Sequence, residues 1–114
     1  MSQAVRVDYE WGVIEWLAGA EVGNAGELSV ARMALPAGNE TDLHTHDNCE
    51  ESVYVVQGNV ECTVGGVQVA LGQRGQAMVM RGEAHRIRNC GSEPAELVLS
   101  YSSAQREFRL VPDA

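Results

Sequence analysis

The sequence predicts an all-β jelly roll folded as one domain, and three observations carry that expectation. Short runs rich in Val, Leu, Tyr and Thr recur between residues 28 and 101, with apolar residues at alternate positions. Turn-forming pairs such as Gly58-Asn59 and Gly65-Gly66 separate them at near-regular spacing, and such pairs suit the positive φ of tight hairpins. No stretch holds a helical apolar period over the ten or so residues that would define a helix. Strands of this kind bury one face each, and a closed sandwich or barrel is how such a chain builds a core.

In order, residues 4–17 read as two short strands around a turn at 10–12, with Val5, Val7, Val13, Ile14, Trp16 and Leu17 as packing residues. Trp11 and Trp16 either fill core or a subunit interface, or stack on a ligand. Residues 19–26 are a turn-rich loop. A strand at 28–35 is stopped by Pro36-Ala37-Gly38. Arg32 within it either faces solvent or points inward to hold a substrate carboxylate. Strands follow at 51–57, 60–64, 67–71, 77–80, 85–89 and 95–101, with turns at 58–59, 65–66, 72–75 and 91–94. The tail continues as an edge strand. The core barrel spans about 27–102, flanked by the N-terminal strands and the tail 103–114.

With 114 residues and 45% hydrophobic content, the chain suits a single modest core. A formal charge of -8 argues against nucleic acid or anionic membrane as partner. It leaves an anionic small molecule open, because a bound divalent ion reverses the local sign. No window approaches the ~20 apolar residues of a membrane span. Cys49, Cys62 and Cys90 cannot all pair within one chain. With no secretory leader, that odd count fits free thiols in a reducing cytoplasm. Cys62 and Cys90 read as small core residues. Cys49 reads as a free thiol, a thiolate ligand, or a partner crosslinked to Tyr54.

The chemistry concentrates between Gly38 and Gly58. His44 and His46 lie at i and i+2, which puts both imidazoles on one face of an extended strand. A carboxylate follows after a short polar turn, at Glu50 or Glu51, and the third histidine is His85. Three imidazoles and one carboxylate suit a divalent first-row metal. Asp42 and Asp47 flank the histidines as candidate acceptors for imidazole N–H groups, or as solvated loop residues.

The spacing Gly38-x5-His44-x-His46-x4-Glu51-x6-Gly58 resembles the first motif of the cupins, and Gly75, Gly82, His85 and Asn89 resemble the second. The family's usual proline near Gly82 is absent, with Arg81 in its place; proline there stiffens a turn and ligates nothing. The resemblance implies the double-stranded β-helix barrel of a single-domain cupin, commonly a homodimer. It also implies one divalent transition metal per chain (Fe, Mn, Ni, Zn or Cu) held by His44, His46, Glu51 and His85. Strand alternation agrees on Glu51, since Glu50 would face the other way.

The tail from Tyr101 to Phe108 is similar to the ending of small sugar-acid cupins, in which an arginine holds a substrate carboxylate; Arg106 matches it with one extra residue in the spacing. Tyr54, Tyr101 and Arg106 are accordingly the candidate catalytic or anchoring residues. The expected function is metal-dependent isomerase or lyase chemistry on a small oxygen-rich, sugar-derived metabolite. An iron-dependent dioxygenase on the same ligands and a non-catalytic ligand-binding or sensory cupin are the alternatives.

Overall fold

A computed structural model describes residues 3–112. Among these, all regular elements are strands: β1 (Val5–Tyr9), β2 (Gly12–Ala18), β3 (Ser29–Leu35), β4 (His44–Thr45), β5 (Glu51–Gln57), β6 (Val60–Val64), β7 (Val67–Leu71), β8 (Gln76–Val79), β9 (His85–Asn89), β10 (Ala95–Tyr101) and β11 (Arg109–Leu110). They form two antiparallel sheets, ordered β1-β2-β3-β10-β5-β8 and β11-β4-β9-β6-β7. The jelly roll read from the alternation is the fold observed.

Period-two patterning positions the core. On β10, Ala95, Leu97, Leu99 and Tyr101 point inward and are buried, because successive strand residues face opposite sides. β10 lies between β3 and β5, and its register makes inward rows: Met33, Leu97 and Val55; Ala31, Leu99 and Val53; Ser29, Tyr101 and Glu51. The first two rows are apolar, and full burial of each such side chain favours folding by roughly 1.5–3 kcal/mol. The third row carries polar groups inward, and it leads to the site.

A buried amide joins the sheets. Asn89 at the end of β9 is fully buried. Its Nδ2 donates to the carbonyls of Leu35 (2.8 Å) and Glu93 (2.9 Å), and its Oδ1 accepts from the Gly91 N–H (2.9 Å). A fully satisfied buried amide of this kind specifies how two sheets meet.

Several details depart from the sequence reading. Val5, expected to pack, is 36% exposed, because β1 is an edge strand with one neighbour. Cys90 follows β9 and is exposed, so it is no core residue. Arg32 faces outward and pairs with Glu15 (2.8 Å) and Glu96 (3.4 Å), which removes it as an inward anchor. The tail contributes only the two residues of β11 as strand. No helix of the described residues is long and apolar enough to cross a membrane.

The β5–β6 turn depends on Gly58, whose φ is +102°. A Cβ there would stand 2.9 Å from the Cα and Cβ of Ala95. Gly66, in the β6–β7 turn, has φ +83° but open space around it. Gly58→Ala is therefore expected to destabilise the protein by about 1–3 kcal/mol, and by more than Gly66→Ala, in urea unfolding. Equal costs would mean that backbone strain alone, and not the contact with Ala95, sets the requirement.

Candidate metal centre

Strand pairing brings the four sequence-predicted ligands together. Antiparallel pairing of β4 with β9 sets His44 opposite His85, and their rings lie 4.2 Å apart. His46, two residues on, comes within 4.8 Å of His44 and 5.1 Å of His85, ring centre to ring centre. Glu51 opens β5 in the opposite sheet and points inward beside Tyr101. His46, Glu51 and His85 are each about 2% exposed or less. One donor atom from each of the four residues falls within 4.8 Å of the others. Bonds of 2.0–2.2 Å to one ion would place donors about 3 Å apart when adjacent and about 4 Å when opposite, so a slight contraction closes the set on a single ion.

Every imidazole is oriented by a backbone carbonyl. Nδ1 of His44 meets the Asp42 carbonyl at 2.6 Å, that of His46 the Glu107 carbonyl at 2.8 Å, and that of His85 the Glu83 carbonyl at 3.0 Å. A carbonyl only accepts, so each Nδ1 carries the proton and donates, and in the neutral ring Nε2 is left with its lone pair. Nε2 of His85 and His46 lie 3.0 and 3.3 Å from Glu51 Oε1. Two lone-pair atoms at that distance require a proton or a cation between them. The buried Nε2 of His46 has no hydrogen-bond partner of acceptable alignment. Its donor capacity is aimed at the shared centre and unspent.

Electrostatics follow from burial and crowding. His44 falls to about 4, first because burial disfavours the imidazolium and then because His85 sits beside it. Burial pushes Glu51 upward, but the neighbouring His46 and His85 imidazoles outweigh it and bring the carboxyl down to about 2. Burial also pulls His85 down, yet its hydrogen bond to Glu51 leaves it raised. Tyr101 rises well above its ordinary value through burial and the Glu51 charge.

The predicted residues outside the cluster fare unequally. Tyr101 is buried, sits opposite Glu51 in the β10–β5 pairing and lines the cavity beside the cluster. Arg106 lines the same cavity, with its guanidinium 4.2 Å from the Trp16 ring centre and 5.5 Å from that of Tyr101. It is already paired with Glu21 at 3.1 Å. Tyr54 does not join them. Three residues beyond Glu51 on β5 it faces the other side, and it is 38% exposed, so strand parity overturns its candidacy and any crosslink to buried Cys49. Cys49 is a free buried thiol raised by burial, outside the four-residue group. The carboxylates of Asp42 and Asp47 do not orient the rings: carbonyls do, and Asp47 pairs with Arg109 at 3.2 Å. Trp16 is core, 1% exposed, whereas Trp11 lines the cavity.

Sequence reasoning missed the contribution of the tail. The Glu107 carbonyl holds His46, and Phe108 stacks on His44 at 4.7 Å and 23°. A backbone carbonyl leaves no mark in residue identity, and a lone phenylalanine in a tail carries no period.

The metal-free protein should lose stability on acidification in two stages. His44 titrates at 6.5 unfolded and about 4 folded, so its contribution is complete above pH 6.5 and is lost as pH falls to 4. Glu51 titrates at 4.5 unfolded and about 2 folded, so its share is lost from 4.5 downward. His85, raised in the fold, acts oppositely and weakens as pH climbs past 6.5. Urea midpoints of chelator-treated protein across pH 3–8 check this; His44→Gln should flatten the stretch between pH 4 and 6.5, and an unchanged slope there would remove His44 as its source.

Comparison with known proteins gives three kinds of match. The cupin domain model matches residues 31–101. The tetracenomycin polyketide synthase protein TcmJ of Streptomyces glaucescens is 31% identical over 84 residues, covering 74% of this chain and 53% of that protein. The chain thus spans about half the length of that curated relative. Among solved structures, the oxalate decarboxylase of Lactobacillus farciminis superimposes with TM-score 0.85 at 19% identity, over 95% of this chain and 33% of its own. An uncharacterised double-stranded β-helix protein of Klebsiella pneumoniae gives 0.81 at 21%, over 96% and 91%.

Proposed function

We propose that this chain, which belongs to the cupin domain family, is a metal-dependent enzyme acting on a small oxygen-bearing metabolite by isomerase- or lyase-type chemistry. The observation that carries the reading is the convergence of three carbonyl-oriented imidazoles and one buried carboxylate on a single point. His44, His46, Glu51 and His85 would hold one divalent ion per chain, and that ion supplies Lewis-acid polarisation of a carbonyl or hydroxyl oxygen. Three neutral imidazoles and one carboxylate leave the loaded site with a net charge of about +1, attractive to oxygen donors.

The chain's own groups set the rest. Tyr101 keeps its proton at neutral pH, because burial and the neighbouring Glu51 charge disfavour the phenolate, and it lines the cavity beside the carboxylate. Burial takes His46, Glu51 and His85 out of bulk water, which strengthens the charges among them, and Phe108 stacks on the partly buried His44. The cavity's apolar walls also favour a second reading, an iron-dependent dioxygenase on the same four residues, because an apolar cavity admits dioxygen while excluding water.

Elemental analysis of untagged protein purified without chelator, beside the His44→Ala/His46→Ala variant, tests the centre. About one transition metal per chain is expected in the first and at least tenfold less in the second, in line with the loss of half the ligand set. Equal metal in both, or none in either, would end the metal reading. Oxygen uptake with candidate substrates separates the two chemistries: consumption favours the dioxygenase, and turnover without it the isomerase or lyase. A metabolite retained by the purified protein and unchanged on incubation would instead mark a binding module.

A further inference from the structure

The walls of the cavity speak to the body of the ligand, not only to its metal-facing end. The cavity holds about 160 Å³, close to the roughly 150 Å³ space known to accept benzene. Ile14, Met33, Ile87, Leu99 and Trp11 line it, and Phe108 stacks on His44 of the cluster. Trp11 is held flat by stacking on Tyr9, at 4.7 Å and 5°, and by the Asn39 side chain on its carbonyl at 3.1 Å.

The polar groups on the inner wall are largely committed. The Thr41 hydroxyl accepts the Ile87 N–H at 3.0 Å. The Asp42 carbonyl accepts from His44 Nδ1, and Nη1 of Arg106 is paired with Glu21, although the buried Nε of Arg106 has no partner. The Asp42 carboxylate and the Tyr9 hydroxyl belong to exposed residues at the mouth. A polyhydroxylated ligand entering here would bury hydroxyls without partners, which costs free energy at every carbon.

We infer that the ligand is a flat, unsaturated molecule of about one ring, with its oxygen toward the cluster and an apolar body against Trp11 and Phe108. This rests on the cluster's reading as a metal centre, and it replaces the sugar-derived body that the tail resemblance implied. Trp11 and Phe108 become specificity-determining residues. Their faces accept a planar body by stacking, whereas the hydroxyls of a sugar ring would find few partners on these walls to replace the water they lose.

Calorimetry on the full chain tests this, with salicylate as the planar probe, D-glucuronate as the polyhydroxylated one, and metal content measured beside each titration. Salicylate should bind at least about tenfold more tightly than glucuronate to metal-loaded protein, with the same order at weaker affinity after chelator treatment. Trp11→Ala should cut the preference about tenfold and Trp11→Phe largely restore it, the difference a stacking contact makes. If Trp11→Ala fails to fold, Phe108→Ala, at a half-exposed position, should weaken salicylate alone. Glucuronate binding as tightly as salicylate, neither probe binding, or variants without effect would overturn the inference. Metal bound with glucuronate preferred sinks the ligand class and leaves the metal centre standing; no metal bound with salicylate preferred does the reverse.

Discussion

The structure turns on three hydrogen bonds from imidazole Nδ1 to the carbonyls of Asp42, Glu107 and Glu83. Each fixes both a ring's orientation and its tautomer, so that the three Nε2 atoms share one direction of unsatisfied electron density. Without them the histidines would be three buried bases free to turn their N–H groups toward Glu51, and the centre would close on itself. With them, the distances of 3.0 and 3.3 Å between Nε2 and Glu51 Oε1 need a positive charge to be tolerable. A cation held at this cluster would owe its place to the backbone as well as to the identity of the four side chains.

Holding those carbonyls takes three separate segments, and the topology supplies them. The Asp42 and Glu83 carbonyls lie two residues before His44 and His85, at the entries of β4 and β9, and pairing of those strands brings them together. The Glu107 carbonyl comes from the tail, anchored by Asn48, whose amide donates to Gln105 O and whose Oδ1 accepts from Glu107 N–H. The Val111 N–H to the Leu43 carbonyl fastens its far end. Glu51 arrives from the other sheet, so the relative placement of the two sheets sets its distance to the imidazoles. Asn89, buried between them with its amide satisfied on three sides, is one of the contacts that holds that placement.

This division explains what could be read in advance. Strand alternation is a side-chain property, so β5, β6, β7, β9 and β10 match the predicted spans to the residue, and the four clustered side chains were named by spacing and resemblance. Tyr54 fell to the same parity that selected Glu51: two steps along a strand keep a face and three change it. Val5 and Cys90 failed because edge position and strand termination are set by neighbours distant in sequence. The carbonyl acceptors, the Phe108 stack and the Arg106–Glu21 pair were illegible for a different reason. The Asp42 and Glu83 carbonyls lie only two residues from their histidines, yet residue identity says nothing of which backbone acceptor a ring will meet. The Glu107 carbonyl, Phe108 and Arg106 join the tail to partners tens of residues away, through residue types common on any surface.

Charge and shape then divide the labour of recognition. The chain as a whole carries -8, yet the cluster contributes a single carboxylate held ionised by its histidine neighbours. A divalent ion there would invert the local sign within walls whose low polarity leaves its field poorly screened. Such a centre pulls in oxygen donors strongly and without much regard for what they are attached to. Discrimination would then fall to the cavity walls, where Trp11, Phe108, Ile14, Met33, Ile87 and Leu99 offer apolar contact. A site that binds by charge and selects by apolar fit rejects polar bodies through the water they would have to surrender, so on the proposed reading the side chains that would decide the ligand are the ones with no chemistry of their own.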